Sequence, residues 1–413
     1  MQKATIIFML ILVPLICFAE NYSLEELINI GLEHSFPIKQ ETVNLQNSSS
    51  QFRSSLYGIL PQVTAGVNKT KSYDPSETDW NDSGYLNISK SFFMNDPSYY
   101  NVRTSIYSMK NAELSFDETR KQIAYYIFSN YLNILELQET LAIQEKNLEL
   151  QNKIKSNIKV QYETGDKSLL ELKKSEISLL DYEIALNEAS NSLSKTRKEL
   201  FTYLNIEDEG FDFEKPEFKL DLHKTDFQTN NTLLKKYYSL EINKLSHFQT
   251  VMALFPSVSI GYNLVHNDSD DLGSFSNYNR NSQSISLSAS WNIFGIFDNL
   301  ERASRSKRNL KILRLDYEKT IKDNSSELTN LYNDLETLKK SYDLYEEKLS
   351  LAEETLKMAR ENYRFGIISL LDLDSSKIEY QNTLLDRIQV YYQLMKIQEK
   401  INLLQSNKIL DKF

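Results

Sequence analysis

The chain is written twice, and that duplication bounds every fold open to it. Tyr162-Glu163-Thr164-Gly165 leads to Ser168-Leu169-Leu170-Glu171-Leu172, and Tyr363-Arg364-Phe365-Gly366 leads to Ser369-Leu370-Leu371-Asp372-Leu373, at a constant offset of 201 residues. The match continues at Ser175 with Ser376 and Ile177 with Ile378. A second landmark, Leu60-Pro61-Gln62-Val63, recurs as Phe255-Pro256-Ser257-Val258 at an offset of 195. Two landmarks in the same order mark an internal repeat, so both halves must follow one plan.

That plan is a helix, two strands, a very long helix, a glycine turn and a returning helix. The opening helical stretches are Ser23 to Tyr57 and roughly Thr232 to Leu254. Pro61 and Pro256 end them, because proline cannot continue a helix interior and pushes its predecessor to extended geometry. Residues 98–161 contain neither proline nor glycine. A helix of that length reaches roughly 95 Å. In the second half Leu328, Leu331, Leu335, Leu338, Tyr342, Tyr345, Leu349, Ala352, Leu356, Ala359 and Tyr363 follow a strict 3,4 spacing. That heptad specifies helices packed side by side. Leu172, Leu179, Leu186, Leu193 and Leu200 do the same in the first returning helix, as do Val390, Leu394, Ile397, Ile401 and Leu404 in the second. Gly165 and Gly366 stand where each long helix must reverse, since glycine takes the left-handed conformation that ends a helix. Both turns are expected at the same end of the molecule.

Four segments alternate apolar with small polar residues, at about 61–70, 83–93, 256–266 and 283–294. Val63, Ala65 and Val67 alternate with Gln62, Thr64, Gly66 and Asn68. Ile285, Leu287, Ala289, Trp291 and Ile293 alternate with Ser284, Ser286, Ser288, Ser290 and Asn292. Leu86, Ile88 and Phe92 in the second segment, and Val258, Ile260, Tyr262 and Leu264 in the third, repeat the pattern. Such strands fit an outer-membrane barrel, with lipid outside and water inside. They also fit a soluble sandwich with one wet face. Lys90 falls on the otherwise apolar face and suits lipid only if it snorkels to an interface. Tyr85, Phe93, Phe255, Tyr262 and Phe294 are candidates for an interfacial girdle. Four strands cannot close a barrel and open edges are not tolerated in lipid, so several copies must contribute. Three copies give twelve strands; closure alone would also permit four.

Met1 to Lys3, the apolar run Ala4 to Phe18 and the small residues Cys17 and Ala19 read as a secretory signal peptide over 1–19. Lipidation at Cys17 is disfavoured by Pro14 and Ile16. Cleavage leaves 413 − 19 = 394 residues without cysteine, carrying 46 basic and 57 acidic side chains for a formal charge of −11. An exported chain without disulfides is held by packing and oligomerisation. The negative balance argues against nucleic acid as a partner. No later segment is apolar over 18 residues, so any membrane insertion must use a closed barrel. The expected organisation is a first repeat at 20–206, a polar connector at 207–230, a second repeat at 231–406 and a tail at 407–413.

These residues carry a family likeness. Ser23-Leu24-Glu25-Glu26-Leu27-Ile28, the Leu60-Pro61-Gln62-Val63 junction, the doubled glycine turn and the strand ending Trp291-Asn292-Ile293-Phe294-Gly295 together resemble the TolC-type outer-membrane efflux proteins, over essentially the whole mature length. The resemblance implies an α+β membrane protein: a homotrimer with a twelve-stranded outer-membrane β-barrel and a periplasmic α-helical barrel. It implies no enzymatic activity and no cofactor. The partners it implies are a periplasmic adaptor (membrane fusion) protein, an inner-membrane transporter and outer-membrane lipid. The tunnel would passively conduct drugs or secreted substrates in a tripartite efflux or type I secretion system. By the same likeness Asp372, with Asp374 close by, falls on the acidic periplasmic gate. Charged rings of this kind favour one sign of ion, and clustering would raise the carboxylate pKa. A second family acid falls on Ser375 and a basic latch residue on Ile368, so the chain departs from the pattern at both. Another role open to Asp372 and Asp374 is to start the returning helix, where acids suit the positive end of the dipole. Adaptor docking would use Gly165, Asp166, Lys167 and Ser168, and Gly366, Ile367, Ile368 and Ser369; plain turn chemistry is the alternative.

Little in the sequence points to catalysis or metal. His34, His223, His247 and His266 are scattered without ligand spacing. Gly165-Asp166-Lys167-Ser168 lacks the adjacent Gly-Lys and the upstream glycine of a phosphate loop. The rival reading is a structural or adaptor coiled-coil protein of the periplasm. It explains the heptads but not four amphipathic strands placed symmetrically by the repeat.

Overall fold

The computed structural model describes residues 23–71, 73, 80–92, 96–208, 210, 212–216, 224–268 and 281–413. The expected signal peptide with Cys17, Phe93, His223 and part of the expected connector lie outside them. The elements run α1 (Leu24–His34), α2 (Phe36–Tyr57), β1 (Gln62–Lys71), β2 (Trp80–Phe92), α3 (Pro97–Glu163), α4 (Leu169–Leu204), α5 (Asn231–Met252), β3 (Ser257–Asp268), β4 (Asn281–Ser290), α6 (Gly295–Arg364) and α7 (Leu370–Leu404). The long helices hold 67 and 70 residues, against a mean near 11–12 for globular helices. No helix among the described residues is long and apolar enough to cross a membrane.

Two element ends differ from expectation, each for a local reason. The first helical stretch breaks at Ser35, which is extended at φ −64, ψ 148. Pro37 is the cause. It sits in the first turn of α2, where its missing N–H costs nothing, and would clash there if α1 continued through it. The last strand ends at Ser290 rather than 294. Asn292 is diverted to cap α6, its Oδ1 accepting from Gly295 N at 2.9 Å.

The chain divides into two compact units. The first comprises residues 1–36, 123–222 and 334–400. Its core packs α1 against α3 and α4 through Leu27, Ile28, Ile127, Phe128, Tyr131 and Leu204, all fully buried. Gly31 permits the close approach: a Cβ there would stand 2.2 Å from Ile127 Cδ1. Part of the connector packs here too. Arg197 donates to both oxygens of Asp208 at 2.8 and 2.7 Å and lies 5.0 Å over the Phe213 ring. Tyr131 Oη donates to the Glu214 carbonyl at 2.6 Å, and burial pushes its hydroxyl pKa up to about 12.

The second unit comprises residues 37–122, 223–333 and 401–413. Its sheet is antiparallel, in the order β1-β2-β3-β4. The register lines up residue types across all four strands. Val63, Ile88, Tyr262 and Ile285 form one lateral row, and Phe92, Val258 and Ala289 form another on the same face. Thr64, Asn87, Asn263 and Ser284 form a row on the opposite face, as do Gln62, Ser89, Gly261 and Ser286. Directly opposed residues share a face, so the sheet is apolar on one side and polar on the other. Tyr85 departs from the girdle expectation. It stands mid-strand opposite Gly66, over which its ring folds so closely that a Cβ would meet Cζ at 2.5 Å. Lys90 is accounted for by its position at the sheet's end, where it pairs with Asp96 at 3.2 Å and reaches Gly58 O and Ser98 Oγ at 3.4 Å.

The same unit ties α5 to its neighbours. Asn230 caps α5, accepting from Leu233 N at 2.8 Å, and donates to Leu404 O at 2.9 Å. Asn231 donates to Asp117 at 2.7 Å and to Ser406 Oγ at 2.9 Å.

Candidate functional site

The two glycine turns are closed and capped by the same principal bonds. Gly165 has φ 87 and Gly366 φ 73, a region that side chains disfavour. Asp166 N donates to Gln161 O at 2.8 Å and Ile367 N to Asn362 O at 2.9 Å, closing each helix with a six-to-one bond. The next residues start the returning helices with reciprocal caps. Ser168 Oγ accepts from Glu171 N at 3.2 Å while Glu171 Oε2 accepts from Ser168 N at 3.0 Å. Ser369 and Asp372 repeat this at 3.2 and 3.1 Å. A third echo, which the sequence reading missed, lies at the far ends of the returning helices. Asn205 and Ser406, 201 residues apart, both turn to positive φ, at 59 and 55.

The turns are exposed at Gly165, Asp166, Ser168, Gly366, Ile367 and Ser369, while Lys167 and Ile368 are partly buried. Lys167 bonds Glu171 at 2.9 Å and lies 5.1 Å over the Tyr363 ring, so it joins one turn to the other. The Glu171 bond lifts the lysine pKa and lowers that of its partner. Ile368 packs on the buried cluster Leu356, Ala359 and Leu373. The second cluster beneath the turns is Ile158, Leu172 and Leu370, with Tyr363 against both.

Asp372 is exposed and bonded to Ser369, whose hydroxyl and N–H hold its carboxyl below the usual range. That is the helix-starting role, seen within a single chain. Asp374 behaves oppositely: burial raises its pKa, against the pull of Lys377. Sequence reasoning passed over Lys377. It is 3% exposed. Its Nζ donates to Gln151 Oε1 at 3.0 Å and stands 4.5 Å over the Tyr182 ring. Burial lowers its pKa to about 8. Tyr182 Oη donates to Gln381 Oε1 at 3.0 Å. A polar layer therefore crosses the apolar interior just behind the turns and joins α3, α4 and α7. The signal was present in sequence: Leu370, Leu373, Lys377 and Gln381 share one helical stripe, so two polar residues sit on core positions. Among the described residues no three His, Cys, Asp or Glu side chains gather as a metal would need.

Comparison with known proteins follows the same lines. Residues 249–405 match the family model described as outer membrane efflux protein. No curated protein matches the chain in sequence. A crystal structure of CusC aligns with a TM-score of 0.85 at 15% identity, covering 94% of this chain and 93% of that one. The Campylobacter jejuni CmeC outer membrane channel aligns at 0.83 and 16% identity, covering 94% and 87%. The Vibrio cholerae outer membrane protein VceC aligns at 0.83 and 14%, covering 94% and 96%. The chain thus carries the outer membrane efflux protein signature over residues 249–405 and shares the fold of these outer-membrane channels over nearly its whole length, and the internal repeat extends one plan to both halves.

Proposed function

We propose that three copies of the chain close into one tunnel, which passes substrates from a periplasmic adaptor and an inner-membrane pump to the exterior. The observation that carries this is the four-stranded sheet, whose β1 and β4 edges have no partner strand among the described residues. Hydrocarbon offers nothing to hydrogen-bond those edges. Three sheets joined edge to edge make twelve strands, apolar rows outward and serine and asparagine rows inward.

The helices support assembly with further copies. All eleven heptad positions of α6 are buried or half-buried inside one chain. A second stripe, Leu344, Leu351 and Met358 on the same helix and Phe365 just past its end, is exposed at seven-residue spacing. Leu170, Ile177 and Ile184 on α4, and Leu371 and Ile378 on α7, are exposed likewise. A helix with two heptad seams has neighbours on two sides, and one side here is left for a second copy. In this assembly Asp372 and Asp374 would line the periplasmic gate, and the exposed turn residues from Gly165 to Ser168 and Gly366 to Ser369 would meet the adaptor. Energy would come from the pump, the tunnel being passive.

Deleting the gene and measuring drug accumulation together with the secreted proteins tests the reading. Accumulation should rise, or a secreted protein should be retained, and restoring the chain should reverse it. No change in either, across a broad panel of compounds, would contradict it.

A further inference from the structure

The chain carries a formal charge of −10, yet residues 302–314 read Arg-Ala-Ser-Arg-Ser-Lys-Arg-Asn-Leu-Lys-Ile-Leu-Arg, six bases and no acid. This block begins twelve residues after the last strand, which ends at Ser290. Phe294, just before α6, and Phe297 and Leu300 in its first turns are exposed apolar residues. Lys307 lies seven residues beyond Leu300, about 10 Å along the helix. Side chains on a helix lean toward its N-terminus, so Lys307 and Arg308 lean back toward the sheet. That brings their charges to the headgroup layer, which is on the order of 5–7 Å deep on each side of the hydrocarbon.

α5 faces this block in antiparallel register. Asn299 donates to the Ala253 carbonyl at 2.9 Å, and Lys236 pairs with Asp316 at 2.6 Å. Lys244 and Arg308 lie between these two ties, the same number of residues from the first along each helix. The cleft there measures about 490 Å³ and is lined by Leu240, Lys244, Lys307, Arg308, Lys311 and Arg314, with Leu310 alongside. Leu240 and Leu310 are half-buried and the five bases exposed. Lys244 pairs with Glu241 at 2.6 Å and Arg314 with Glu318 at 3.8 Å. Lys307 and Lys311 have no acidic partner among the described residues. Pockets of 300–1,000 Å³ are of ligand size.

We propose that the α5–α6 cleft binds an anionic phospholipid of the periplasm-facing leaflet, its phosphate held by Lys307, Lys311 and Lys244 and its chains laid toward Leu300 and Phe297. Basic clusters beside a membrane segment recognise acidic headgroups in this way, while the lysine stems cover apolar surface. The inference rests on the outer-membrane reading proposed above and on contacts within one chain; it does not need three copies.

Native mass spectrometry of the full-length protein in detergent tests it, with dioctanoyl phosphatidylglycerol, dioctanoyl phosphatidylcholine and inorganic phosphate as separate probes. The wild type should retain phosphatidylglycerol and not the other two. Changing Lys244→Gln, Lys307→Gln and Lys311→Gln together should weaken retention by on the order of thirty- to a hundredfold. Lys319→Gln with Lys322→Gln, farther along α6, should leave it unchanged. Equal retention by the triple variant, or equal retention of phosphatidylcholine or phosphate, overturns the proposal. If acids of a second copy fill the cleft instead, the wild type binds no phosphatidylglycerol and the triple variant loses assembly mass, which also overturns it. The same spectra report assembly mass, so a failure of the oligomer reading is scored separately.

Discussion

The ammonium of Lys167 lies 5.1 Å above the ring of Tyr363, and this contact joins the two glycine turns of one chain. The turns belong to different repeats and share no covalent constraint nearby. Lys167 is oriented by its bond to Glu171 at 2.9 Å, so one carboxylate aims a cation at an aromatic face. Cation–π pairs contribute about 0.5–1 kcal/mol at exposed sites. A double-mutant cycle on Lys167→Met and Tyr363→Leu should give a coupling energy of about that size. Additive single effects would show that the two turns are held by the apolar clusters alone.

The glycines of the turns are required by backbone geometry and not by space, since nothing lies within 4 Å of a Cβ built on either. Gly165→Ala and Gly366→Ala should each cost about 1–2 kcal/mol, the cost of a left-handed L-residue. Asparagine at either position should cost less. Thermal melts of the folded protein read this directly. An alanine variant that melts with the wild type would mean that the turn relaxes to another conformation.

The buried polar layer behind the turns gives a pH dependence of defined sign. Lys377 falls from its ordinary 10.5 to about 8 in the folded chain, so the unfolded chain binds its proton more tightly. Stability contributed through this group therefore rises with pH between about 8 and 10.5 and is flat below. The full difference corresponds to roughly 3 kcal/mol. The groups facing Lys377 are Asp374, Arg360, Tyr182 and Gln151. Lys377→Met alone would strand the buried Gln151 amide, so the informative variant is Lys377→Met with Gln151→Leu. It should abolish the rise in melting temperature across that window. Persistence of the rise would assign it to another group.

Asp372 serves two roles that substitution can separate. Its carboxylate completes the cap on α7 through Ser369, and in the proposed assembly three copies of it would face the lumen. Asp372→Glu keeps the charge and the capping chemistry of the other repeat, where Glu171 stands. Asp372→Asn keeps the shape and removes the charge. The asparagine variant should alter single-channel conductance or its block by divalent cations, and the glutamate variant should not. Identical channels from all three proteins would leave Asp372 as a cap alone.

Periodicity made much of this legible before any coordinates. Leu328 to Tyr363 recur in a spacing that only one helix face can satisfy, and all eleven are buried or half-buried. Val63 to Val67 and Ile285 to Ala289 alternate as a half-buried strand must, and the observed register lines them up across the sheet. What stayed hidden depends on contacts between distant segments. Tyr85 reads as an interfacial aromatic, but its place is fixed by the missing side chain of Gly66 on the next strand. Lys90 reads as a charge facing lipid until Asp96 is placed beside it at the sheet's end. The core stripe of α7 marks Lys377 as facing inward, but its partners Gln151 and Tyr182 come from other helices and could not be read from the spacing. Ser35 was legible in principle: Pro37 stands two residues later.

The account turns on whether β1 of one copy pairs with β4 of the next. Within one chain these edges are separated by two strands, roughly 14 Å at strand spacing, too far for a disulfide. The sole cysteine, Cys17, lies in the segment expected to be cleaved as a signal peptide, so introduced pairs in a Cys17→Ala background report without interference. Single cysteines at Gln62 or Thr64 on β1 combined with single cysteines at Ser282, Ser284 or Ser286 on β4 scan the register. On oxidation in membranes, at least one pair should yield a covalent ladder ending at three chains. Monomer alone from every pair, with the protein folded and membrane-bound, would contradict closure by neighbouring copies.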